Sequence, residues 1–94
     1  MEIGISTASY FPRLLTEDAM DEVARAGAKV GEVFFATHSE YTRDFAAVVK
    51  ERADRGGVRI NSVHALTNQF EPELFGKGLR AHADAITTFT RVCE

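Results

Sequence analysis

The chain has 94 residues, 45% hydrophobic and 27% charged, which is the make-up of an ordinary globular chain with room for one domain over residues 1–94. Eleven basic residues against fourteen acidic ones leave a formal net charge of −3, which excludes a protein that grips nucleic acid by bulk positive charge. The single cysteine, Cys93, cannot close an internal disulfide, the apolar runs fall far short of the roughly 20 residues that cross a bilayer, and Met1-Glu2-Ile3-Gly4 does not open like a signal peptide, so a cytoplasmic protein with no membrane partner is expected.

Taken in chain order, residues 2–6 predict a first strand, with Ile3 and Ile5 on one face and Gly4 and Ser6 on the other. A loop over 7–15 contains Pro12. Thr16 is the expected N-cap of the first helix, with Glu17 and Asp18 in the turn where the helix dipole favours negative charge. Leu15 and Met20 are placed to staple that end. Ala19, Met20, Val23 and Ala24 follow helical spacing, and Gly27 is suited to a left-handed stop. Residues 30–35 predict a second strand, apolar apart from Gly31 and Glu32. After a turn at 37–39, Tyr41, Phe45, Val48, Val49 and Ala53 make one apolar stripe of a second helix, which Gly56-Gly57 ends. Residues 58–64 predict a third strand and 67–76 a polar loop with Pro72 in it. The last helix is expected over 77–93, burying Leu79, Ala83, Ile86, Thr90 and Cys93.

Strand and helix thus alternate three times at a spacing of about 30 residues, the length of a βα unit. That order predicts an α/β fold with parallel strands and right-handed crossovers. A parallel sheet ordinarily has helices over its faces. Three strands are few for it, and the sequence stops where a fourth would begin, so a piece of something longer is expected. An open doubly wound sheet is the rival fold. It would carry a glycine-rich turn after the first strand, where this chain has Thr7-Ala8-Ser9-Tyr10-Phe11-Pro12.

Gly4-Ile5-Ser6-Thr7 on strand one, Gly31-Glu32-Val33-Phe34 on strand two and Ser62-Val63-His64-Ala65 on strand three, in that order and spacing, resemble the N-terminal part of the sugar phosphate isomerase/epimerase family, the xylose isomerase-like TIM barrels. The resemblance implies the first three units of a (β/α)8 barrel, which takes about 250 residues when complete. It implies isomerisation or epimerisation of a sugar or sugar phosphate by proton transfer beside a divalent metal cation. It also implies that the principal metal ligands lie on later strands, leaving His64 as the one ligand offered here, and that this chain alone is inactive.

His64 closes the third strand, where barrel active sites gather, and matches the strand-three histidine of that family. It is a candidate for a sugar hydroxyl or a metal, against the plainer role of a histidine bonded to backbone. Glu32 is a candidate for positioning substrate if it points into the barrel, where a carboxylate must be paired, or a solvated carboxylate if it does not. Ser6, with Thr7 and Tyr10, offers hydroxyls after strand one. Asn68, with Gln69, offers amides in the third loop. Phe11, Phe70 and Phe75 are candidates for an apolar wall under a sugar ring. Glu71 and Glu73 read more simply as an acidic helix start around Pro72, His38 as a loop histidine facing water, His82 as a boundary residue and Cys93 as an incidental thiol.

Two other functions stay open. Endonuclease IV-type phosphodiester cleavage, within the same family, needs clustered metals and a basic rim, which three histidines and a charge of −3 do not favour. A non-enzymatic α/β module that binds or self-assembles is the reading from a different class. For a three-unit piece of a barrel, open sheet edges and an uncovered apolar face predict an oligomer, pairing with the rest of the barrel, or a poorly stable monomer, whereas the self-contained module would cover both edges with its own helices or a twin.

Overall fold

A computed structural model describes residues 2–66, 68 and 70–94. Strand β1 (Gly4–Ser6) runs into a 3-10 turn at Thr7–Tyr10, and helix α1 (Thr16–Arg25) leads to β2 (Val30–Phe34). A second 3-10 turn, His38–Glu40, precedes α2 (Arg43–Gly56) and β3 (Arg59–His64). Two helices follow, α3 (Phe70–Phe75) and α4 (Leu79–Cys93). The strands form one sheet in the order β1-β2-β3, and both pairings are parallel. The chain is therefore α/β, as the alternation of periods predicts.

Helices α1 and α2 lie side by side over one face of the sheet. Met20 and Val23 of α1, Val49 and Ala53 of α2, and Val33 and Val58 from the sheet side make the core, with Ile5 and Ile60 packed against it. Met20, Val23, Val33 and Val49 are fully buried, each contributing about 1.5–3 kcal/mol by leaving water. Across the helix pair, Arg52 of α2 donates to Asp21 at 2.6 Å and to Asp18 at 3.2 Å. The bond to Asp18, helped by the charge of Asp21, raises the Arg52 guanidinium above its ordinary pKa. Gly27 and Gly57 end the two helices with φ of 89° and 72°, the left-handed conformation a glycine adopts without strain.

Several expectations are corrected. Thr16 is the first helical residue, buried, and Leu15 is the N-cap without a side-chain bond, so Leu15 cannot staple the end from outside it. The third loop contains α3, with Pro72 in its first turn, where a missing N–H costs nothing. On α4 the buried residue is Ala85, with Ala81, Thr88 and Val92 half-buried. Leu79 and Ile86 of the expected stripe are exposed, as is Phe89. Small residues of the helix are on its covered side, and its large apolar ones stay uncovered.

The helix pair meets closely at Gly56, where a Cβ would lie 2.6 Å from the Cβ of Ala24. Alanine is ordinarily better than glycine in a helix by about 0.5–1 kcal/mol. Here Gly56→Ala is expected to destabilise the chain by roughly 1–3 kcal/mol, the cost of overpacking, and Ala24→Gly in the same chain to recover most of the loss, as read from urea unfolding of the four proteins in the cycle.

Candidate functional site

The face of the sheet away from α1 and α2 carries Ser6, Glu32, Phe34, Ser62 and His64, all half-buried or exposed. Register explains why these residues share it. Ser6 pairs with Glu32, and Glu32 pairs with Ser62. Between Gly31 and Glu32 the pairing with β3 slips by one, from Ile60 to Ser62, so Asn61 is an extra residue on β3. Simple alternation from the core residue Ile60 would turn Ser62 and His64 toward the helices. The bulge reverses that parity and delivers both to the open face.

Glu32 is held from both sides. The Ser6 hydroxyl donates to Glu32 Oε1 at 3.0 Å and the Ser62 hydroxyl to Oε2 at 3.0 Å. Ser6 Oγ also accepts the Ala8 N–H at 3.2 Å, capping the first 3-10 turn. Each carboxylate oxygen keeps lone-pair capacity beyond its serine, and both serine protons are spent on Glu32. The row therefore presents acceptors and suits a ligand that donates hydrogen bonds. Ser6, Glu32, Asn61 and Ser62 border a shallow depression of about 310 Å³ that runs toward Gly4 and Val30.

Toward the C-terminal ends of the strands the face becomes aromatic. Phe34 pairs with His64 in register, ring centroids 4.8 Å apart, and Phe11 meets Phe34 edge-on at 5.8 Å. The Phe34 N–H goes to Thr7 Oγ1 at 2.8 Å, so a buried side chain takes over where β1 has ended. Arranged this way, the face offers an oriented carboxylate, flat apolar rings and one imidazole.

Of the residues singled out from sequence, Ser6, Glu32 and His64 share this face. Asn68 is exposed and borders a different depression, with Phe70, Glu71 and Leu74. Gln69 lies outside the described residues. Thr7 is buried and committed to backbone, and Tyr10 packs against the core. Of the three candidate wall aromatics, Phe11 reaches the face, Phe70 stacks on Phe89 at 6.2 Å, and Phe75 is exposed. His38 packs edge-on to Tyr41 and faces Arg91, in a cleft shared with Phe70 and Thr88. His82 bonds the Leu74 carbonyl at 2.7 Å, tying α4 to α3, and Cys93 is an exposed free thiol. Ser62 and Phe34 were not among the candidate site residues. Their signal is the pairing register, which one sequence does not display.

Among the described residues no group of three or more His, Cys, Asp or Glu converges to hold a metal ion. His64 supplies one imidazole and Glu32 one carboxylate, too few donors to make a metal centre by themselves. No helix among the described residues is long and apolar enough to cross a membrane. Comparison with family models, curated proteins and solved structures finds no match.

Thr7→Val keeps the size of a buried side chain but removes the acceptor of the Phe34 N–H. A loss of about 1–3 kcal/mol is expected from the unpaired donor, together with faster hydrogen exchange at the Phe34 amide. Unchanged exchange at Phe34 would mean that the bond does not hold the strand end.

Proposed function

We propose that the open sheet face binds a polyhydroxylated ligand, a sugar or sugar phosphate, and that these three units are the opening arc of a (β/α)8 barrel of the sugar phosphate isomerase/epimerase kind, working in the cytoplasm. The observation that carries this reading is the Glu32 carboxylate clamped between Ser6 and Ser62 beside the Phe34–His64 pair. Sugars present hydroxyl donors on their edges and C–H groups on their faces. Glu32 accepts from the first, Phe34 and Phe11 pack under the second, and His64 exchanges a hydrogen bond with a further hydroxyl. The parallel order of the strands and the clustering of aromatic and imidazole groups at their C-terminal ends support a barrel wall.

In the complete barrel a divalent metal would polarise the substrate during proton transfer, and His64 is what this chain would add to it. A single imidazole does not hold that ion. One carboxylate and one imidazole do not make the acid–base set an epimerase needs, so the chain alone is expected not to turn over substrate.

Titrating the isotope-labelled chain with a panel of sugars and sugar phosphates tests the reading. Saturable shifts confined to Ser6, Glu32, Ser62 and His64 are expected, and Glu32→Gln should weaken binding about tenfold or more, as loss of a charge-assisted acceptor does. Shifts that never saturate, or that fall elsewhere, overturn it.

A self-assembling α/β module is the second reading. It is favoured by two separate features, the 80% and 87% exposure of Phe75 and Leu79 and the two outer edges of the sheet. Sedimentation equilibrium decides this point. A mass rising with concentration above the 10.4 kDa of one chain is the expected result if the uncovered surfaces associate.

A further inference from the structure

Leu66 has a φ of 74°. That left-handed conformation strains a residue with a branched side chain. It lies two residues beyond His64 and turns the chain away from the end of β3. Its N–H donates to the hydroxyl of Tyr41 at 2.9 Å. Tyr41 belongs to the connection after β2, 25 residues earlier in the chain, and is the one aromatic among the described residues that is buried. Its ring is fixed on two sides, by Phe35 at 6.2 Å and His38 at 5.6 Å, both edge-on. The turn that carries it is itself pinned, since the Glu40 carboxylate accepts the N–H groups of Ala36 at 2.6 Å and Thr37 at 2.9 Å. On the other side of Tyr41, the Phe35 N–H donates to the His64 carbonyl at 2.9 Å. The segment from His64 to Leu66 is thus gripped at both ends by residues of the preceding connection.

We propose that Tyr41 is a positioning residue for the sheet-face site: its hydroxyl holds Leu66 in the left-handed conformation and so sets where the His64 imidazole stands against Phe34. The role rests on the ligand reading above only in what His64 is positioned for. Tyr41 touches no ligand. It acts through the backbone of the next connection, which couples the ends of β2 and β3 into one rigid rim. A phenylalanine ring fills the same space but offers no acceptor, so the Leu66 amide loses its partner and the backbone relaxes out of the positive-φ region.

The test uses the whole chain and Tyr41→Phe. The Leu66 amide should exchange about tenfold faster or more, the equivalent of one lost hydrogen bond, and the His64 ring signals should shift. Adding Leu66→Gly to Tyr41→Phe should return the His64 ring signals to their native positions, because glycine takes that φ without help. Unchanged Leu66 exchange and His64 signals in Tyr41→Phe overturn the proposal, and so does a failure of Leu66→Gly to restore them. If Tyr41→Phe does not fold, Leu66→Gly is compared with Leu66→Ala: a higher unfolding midpoint for the glycine variant supports the strained latch, and a higher one for the alanine variant refutes it. None of these readouts needs a ligand. Their success with no sugar bound by the native chain would leave Tyr41 in its role and remove the sugar reading instead.

Discussion

The middle strand has to satisfy two faces at once. On one, Val33 must leave water beneath α1 and α2. On the other, Glu32 must keep a charge on a surface only half open to solvent. A carboxylate deprived of water needs donors in its place, and on a middle strand those donors come from the two neighbours. Ser6 and Ser62 meet that need only if β1, β2 and β3 are parallel and in the observed register. Core packing and site geometry therefore constrain each other. Sliding either outer strand by one residue would remove a serine from Glu32 and turn a core residue outward.

The alternation of strand and helix, the parallel order and the places of α1 and α2 were legible from periodicity, because Val23, Val49 and Ala53 recur at helical spacing and Gly27 and Gly57 stop the helices where they stand. Half of the site was legible too. A lone carboxylate among apolar neighbours, as at Glu32, marks a side chain that needs partners, and a histidine closing a strand marks a rim. The bulge was not legible. Ile60, Ser62 and His64 have the same parity, so no regular strand could bury the first and present the other two. Reading that conflict as a parity break at Asn61 requires the partner strand, whose Gly31 and Glu32 take Ile60 and Ser62 in succession.

Helix α4 shows the opposite failure. Its spacing is strongly amphipathic and on that ground points the large apolar side chains to the interior. Amphipathicity identifies two faces of a helix but not the surface each will meet. The surface beside it is formed by the second 3-10 turn (His38–Glu40), Tyr41 and the start of α2, and the side carrying Thr88 and Val92 borders it. On that side Arg91 reaches His38 at 3.4 Å, while Leu79 and Ile86 stay exposed.

Under the proposed sugar reading, the chemistry of the open face also bears on which part of a ligand would meet it. Glu32 is a fixed negative charge, and a phosphate brought beside it would be repelled, more strongly the less water lies between them. A compensating cation would have to stand on the same face. Arg59, beyond the bulge, donates to Glu2 at 3.0 Å and to Asn61 at 3.3 Å, and it sits at the end of the strands away from His64. The row of Ser6, Glu32 and Ser62 therefore favours the uncharged, hydroxyl-bearing part of a ligand. If the ligand carries a phosphate, that group must lie away from these three residues, with its positive partners outside the sheet face. Under the proposed reading, recognition of hydroxyls and recognition of phosphate are then separate tasks, and this sheet would serve the first.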